Sequence, residues 1–139
     1  MKNYGFLNTI VLVNGIPINE WMDGDDSFRM SRRSPSFTDN VGVAGDMAVA
    51  ENADKSGTFV MNLQQTAASN GYLSGLLNAA ENSAFVPINV MFKDTKGNDI
   101  GTGSSGYIEG HPEMTRGANI TGQAWTIVVE QLDMLLGGA

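Results

Sequence analysis

The sequence predicts a mainly β domain, an antiparallel sandwich or barrel that carries one helix and one long extended loop. Three observations carry this expectation. Short runs alternate apolar and polar residues, an Asn-Gly pair joins two apolar runs, and a single stretch switches to helical spacing. The length of 139 residues suits one domain with one core, so residues 1–139 are taken as a single unit.

The elements follow in chain order. Thr9 to Val13 and Ile16 to Trp21 flank Asn14-Gly15, the strongest short hairpin signal. Pro17 has no amide to donate, so the second arm of that hairpin should be a sheet edge or should start its pairing after that residue. An acidic turn, Asp23-Gly24-Asp25-Asp26, leads into Ser27 to Ser31, where Phe28 and Met30 share one face and Arg29 takes the other. From Arg32 to Asp46 no period is visible, and Pro35, Gly42 and Gly45 punctuate a segment longer than ordinary loops. Three of the eight basic residues, Arg29, Arg32 and Arg33, stand at its entrance.

Strand character returns at Met47 to Ala50 and is clearest at Thr58 to Gln64, with Phe59, Met61 and Leu63 on one face; the stretch between them has turn composition. Leu73, Leu76, Leu77 and Ala80 then follow the spacing of an amphipathic helix, with Thr66 or Ser69 as its expected cap. Gly71 and Gly75 each weaken that helix by about 1 kcal/mol relative to alanine, so it must dock on a sheet to persist. A second hairpin is expected from Ile88, Val90 and Phe92 through the polar turn Thr95 to Asp99 to a strand near Gly106 to Glu109. The last strand, Ala124 to Leu132, carries apolar residues on both faces, which predicts that it is central or covered on two sides.

Composition narrows the chemistry. Apolar residues make up 42% and charged residues 17%, a lightly charged composition that suits either contact with other subunits or a monomer kept soluble by its Asn, Ser, Thr and Gln side chains. The net charge of −7 opposes tight nucleic-acid binding. The chain has no cysteine, which removes disulfides, thiolate metal sites and a cysteine nucleophile. The apolar run Phe6 to Val13 is too short and interrupted to be a signal peptide or a membrane span.

Apparent motifs lack their context. Gly101, Gly103 and Gly106 match the spacing of a dinucleotide loop, but Gly106, Gly110 and Pro112 forbid the helix such a loop needs. Neither the acidic turn nor Asp94, Asn98 and Asp99 has the spacing of a calcium loop. His111 stands in a Gly-His-Pro turn with no second histidine, and no strained elbow frames Ser104 or Ser105 as nucleophile. Asn119-Ile120-Thr121 is a glycosylation sequon without a secretory context. The expectation is therefore a non-enzyme with no catalytic, cofactor-binding or metal residue and no cofactor.

Several phrases, NTIVLVNGIPI, RRSPSFTDNVGVAGDM, GTFVMNLQQTAASNGYLSGLL, VPINVMFKDTKGND and TRGANITGQAWTIVVEQLDMLLGG, cover nearly the whole chain in order. In these the sequence resembles the small tail tube proteins of contractile-tailed bacteriophages, a family related in fold to the type VI secretion ring protein. The resemblance implies two packed antiparallel sheets with a flanking helix near Tyr72 to Ala80. It further implies hexameric rings that stack into a hollow, acidic-lined conduit for transient passage of DNA, with no stable nucleic-acid binding. Implied partners are further copies of the chain, the tail sheath protein, and baseplate and tail terminator proteins. The implied location is the virion tail, assembled in the bacterial host cytoplasm. By chain order, residues 31–46 become a protruding loop between subunits, with Arg29, Arg32, Arg33, Pro35, Phe37 and Asp39 as contact residues. Alternatives from the same pattern are a type VI or tailocin tube-like ring protein and a tail terminator. A different class of reading is a monomeric β-sandwich binding module that holds a ligand on Tyr107, Trp125 or Trp21.

Overall fold

Alternating side chains build most of the architecture, which is that of a computed structural model describing residues 9–22, 27–82, 87–95 and 97–137. The acidic turn at Asp23 to Asp26 lies outside the described residues. Strand β1 (Thr9–Val13) turns through Asn14 and Gly15, both at positive φ (51° and 81°), into the short β2 (Ile16–Pro17). Asparagine tolerates the left-handed region and glycine favours it, so this dipeptide suits a two-residue hairpin turn. There follow β3 (Phe28–Arg32), β4 (Phe37–Val41), β5 (Met47–Glu51), β6 (Gly57–Gln64), helix α1 (Ala68–Glu81), β7 (Ile88–Asp94), β8 (Ile100–Ile108) and β9 (Gly122–Leu135).

The described chain is mainly β, with two antiparallel sheets and one helix. Seven strands form the larger sheet in the order β2-β1-β7-β8-β9-β6-β3. Pro17 lies in an edge strand, and β9 lies in the interior between β8 and β6, both as its sequence requires. The second sheet is the β4–β5 pair alone.

The larger sheet curls over its own core. β3 and β7 are four places apart in the strand order, which in a flat sheet would separate them by about 19 Å. Yet the rings of Phe28 on β3 and Phe92 on β7 stack with centroids 4.9 Å apart and planes 9° from parallel. The two halves of the sheet therefore face each other across Phe59, Met61, Leu63, Val90, Trp125, Ile127, Val129 and Leu132, all buried.

Helix α1 closes the open side. Leu73 and Leu77 enter the core. The Tyr72 hydroxyl donates to the Val13 carbonyl at 3.0 Å, and burial raises the pKa of that phenol. Neither expected cap is used: Ala67 occupies the cap position with no side-chain bond, and the Ser69 hydroxyl instead accepts the Asn19 amide at 3.2 Å. Anchoring comes from Asn70, which accepts the Trp125 indole N–H at 2.9 Å and donates to the Gln64 carbonyl at 2.8 Å. One amide thus ties the helix to β9 and β6 together.

The dinucleotide-like glycines lie within strand β8. They are small because side chains of the opposite half of the sheet, Met30 and Phe59, and Val129 of neighbouring β9 pass close above them. A Cβ on Gly101 would collide with the Met30 thioether, and one on Gly103 would lie 2.6 Å from Phe59 and 2.8 Å from Val129. Between them and Gly106 the β7–β8 register slips by one residue, with Ser105 at φ 54°. Such a bulge bends a strand, which serves a sheet that must curl.

Candidate assembly surface

Residues 31–46, expected as an aperiodic loop, contain the last two residues of β3, all of β4 and the turn of a two-stranded arm spanning 37–51. Gly42 donates to the Asp46 carbonyl at 2.7 Å, Gly45 donates to Gly42 at 3.0 Å, and Gly45 takes φ 90°, which closes the tip. All ten strand residues of the arm are exposed.

Pairing register sorts its side chains onto two faces. Phe37 lies opposite Glu51, Asp39 opposite Val49 and Val41 opposite Met47, so these six share one face. Thr38, Asn40, Ala48 and Ala50 form the other. The first face leaves Phe37, Val41, Met47 and Val49 each 59–62% exposed, and Val43 at the tip is fully exposed. A two-stranded hairpin is marginal in water when it packs on nothing, so this apolar face is suited to burial by a partner.

The root of the arm, by contrast, is densely bonded. Arg32 donates from Nε to the Leu132 carbonyl at 3.0 Å and from Nη1 to the Ser36 hydroxyl at 3.1 Å, with Asp133 3.9 Å from Nη2. Leu132 in turn donates its amide to the Lys55 carbonyl at 2.8 Å, and Arg33 donates its amide to Ser56 at 3.0 Å. Asp54 accepts from the Ser56 amide at 3.0 Å and the Ser34 hydroxyl at 3.1 Å. Hydrogen bonding by Ser56, then Ser34, holds the Asp54 carboxyl below its ordinary pKa. Asn52 donates to the Ser36 carbonyl at 2.8 Å, closing the ribbon at its base. The arm is therefore a projecting hairpin on a fixed root.

The six residues singled out in the sequence divide among three places. Phe37 and Asp39 share the apolar face of the arm. Arg32, Arg33 and Pro35 belong to its root, where Arg32 is engaged within its own subunit. Arg29 is exposed on the body, on edge strand β3, beside a shallow depression lined also by Phe28, Met30, Ser31, Thr58 and Val60. Among the described residues, no three His, Asp or Glu side chains are grouped so as to hold a metal ion.

Residues 12–137 match the model of the family described as Bacteriophage PhiTE tail tube protein. The chain belongs to this phage tail tube family. Its role is structural and tail tube-related, in agreement with the non-enzymatic expectation. Solved structures share the fold at low sequence identity. The anti-feeding prophage cap, a tube terminating cap, aligns with a TM-score of 0.66 at 9% identity, covering 97% of this chain and 92% of that one. The sheath-tube complex of the PVC extracellular contractile injection system, in its extended state, gives 0.63 at 12% identity over 96% and 91%. The sheath/tube terminator of the same system gives 0.63 at 12% identity over 97% and 98%. No curated protein matches the chain in sequence.

Sequence reasoning missed Val41, Val43, Met47 and Val49 as surface residues of this chain. The signal was present: the Val41-Gly-Val-Ala-Gly-Asp-Met47 stretch mirrors apolar residues about a glycine-rich turn. A second exposed segment, residues 109–121, also went unmarked. It has no strand or helix, exposes Met114 and Ile120, and is pinned where the Thr121 hydroxyl donates to Gln65 at 2.7 Å.

Proposed function

We propose that this tail tube protein is the repeating subunit of the tube, forming hexameric rings that stack into a hollow conduit for DNA during ejection. The observation that carries the reading is the arm: in a chain of this family, a hairpin with a fixed root presents a solvent-exposed apolar face. Residues 31–46, with the rest of the hairpin to Glu51, bridge one subunit to another, and Arg29, Arg32, Arg33, Pro35, Phe37 and Asp39 make or support those contacts. Arm and body are different surfaces of one molecule, so their contact is heterologous and repeats, closing into rings or continuing along an axis. The net charge of −7 keeps the bore from holding the phosphate backbone, so DNA slides without stable binding. A contractile sheath surrounds the tube, consistent with the sheath-tube complex among the structural neighbours, and baseplate and terminator proteins cap its ends. Assembly takes place in the bacterial host cytoplasm, and the product is part of the virion tail.

Electron microscopy of the purified protein over a range of concentrations tests this. Rods of uniform width with a central channel are expected; a monodisperse monomer at every concentration would overturn the proposal. A tail terminator is the second reading, because a tube cap and a terminator are as similar in fold as the tube complex is. It predicts single rings that never elongate.

A further inference from the structure

The arm presents a charge in an apolar frame, and the body presents its complement. Asp39 lies between Phe37 and Val41 along β4 and opposite Val49 on β5, and it has no hydrogen-bond or ion-pair partner among the described residues. Arg29 lies opposite Val60 on the outer face of the β3–β6 pair, beside Ser31 and Thr58, and its guanidinium has no hydrogen-bond or ion-pair partner among the described residues. Phe28 and Met30 reach the rim of the same depression from the core side.

We propose that the apolar face of the arm seats on the β3–β6 depression of a second copy of this chain, pairing Asp39 with that copy's Arg29. This deepens the tube reading and rests on it. The arm does not fold back onto its own body, since each of its ten strand residues is exposed. The occupant must carry an acid within an apolar frame, and the arm of another copy does. A rival landing site, the depression lined by Leu12, Met91, Thr102, Gln131 and Asp133, is disfavoured by charge. Its Asp133 would meet Asp39 and Glu51, and like charges brought together in an interface are costly. The other exposed bases among the described residues fit less well. Arg33 and Lys55 lie at the root of the arm itself, Lys93 shares its face with the Asp133 depression, and Arg116 lies in the irregular segment before β9.

A charge exchange tests the pairing. Asp39→Arg and Arg29→Asp are both at exposed positions, so each variant is expected to unfold at the wild-type temperature by circular dichroism. Each alone should raise the concentration needed for polymer formation, read by sedimentation and microscopy, by about tenfold or more. The double variant D39R/R29D should return that concentration toward wild type, while D39R combined with Lys93→Asp should not. Single variants that assemble like wild type, or a double variant no better than the singles, would overturn the pairing while leaving the tube reading intact. Wild-type protein that never assembles would overturn both.

Discussion

Replacing Gly103 by alanine puts the curled sheet to a quantitative test. An added methyl lies 2.6 Å from a Phe59 ring carbon and 2.8 and 3.0 Å from the two Val129 methyls. Both neighbours are fully buried, and the Phe59 ring is backed by Phe28 with centroids 5.9 Å apart, so neither has free space to enter. Two effects compete. Loss of unfolded-chain entropy favours alanine by about 0.5–1 kcal/mol, whereas overpacking a filled core costs about 1–3 kcal/mol. Overpacking wins, for a net loss of about 1–2 kcal/mol, or a fall in melting temperature of roughly 3–10 °C for a chain of this size. Gly75→Ala supplies the control: nothing lies within 4 Å of its Cβ on the exposed helix face, so the same chemical change should stabilise by up to about 1 kcal/mol. Thermal and urea unfolding of both variants gives the answer. A Gly103→Ala protein as stable as wild type would refute the close approach of the two halves of the sheet.

Other substitutions probe the helix dock, the arm root and its pH response. Asn70→Ala leaves the buried Trp125 indole N–H and the Gln64 carbonyl without their partner, and should cost about 1–3 kcal/mol in urea unfolding followed by tryptophan fluorescence. Arg32→Ala removes bonds to Leu132 and Ser36 at a partly exposed position; a loss of about 1 kcal/mol and faster proteolysis within 33–56 are expected, and an unchanged cleavage rate would argue against a fixed root. Asp54 has a depressed folded-state pKa, so its contribution is present above the unfolded pKa and is lost as pH falls through the folded value. The protection of the Ser56 amide against hydrogen exchange, taken relative to its intrinsic rate at each pH, should therefore fall on the acid side of the ordinary aspartate range, and Asp54→Asn should abolish that pH dependence.

Much of this fold is written in local pattern. Phe59, Met61 and Leu63 alternate with half-buried partners along β6 as their spacing demands, and Asn14-Gly15 makes its turn with both residues at positive φ. Strand β9 is interior, where Trp125, Ile127 and Val129 are buried on one face and Val128 is buried on the other. One strand of the arm was legible, Met47 to Ala50 within β5, whereas β4 read as aperiodic loop because its cue is non-local. Asp39 interrupts the apolar face of β4, and only pairing with β5 restores an apolar patch through Val49 and Met47. The start of β8 escaped for another reason: Gly101 and Gly103 carry no side chain to alternate, and their smallness answers Met30 and Phe59 from the opposite layer. The helix cap failed because Asn70 fixes α1 through Trp125, a contact 55 residues away that no terminal signal encodes. At the candidate assembly surface, charge drew attention to Arg32, but its guanidinium bonds to Leu132 and Ser36 show a structural use at the root.

The decisive experiment removes the arm and nothing else. Ser36 and Asn52 already share a 2.8 Å hydrogen bond, so an Asn-Gly turn in place of residues 37–51 should bridge them without disturbing the body. Microscopy and sedimentation of this variant beside wild type should show a protein of unchanged melting temperature that forms no stacked rods, while wild type forms them. Rods of normal width from the armless protein would contradict the account.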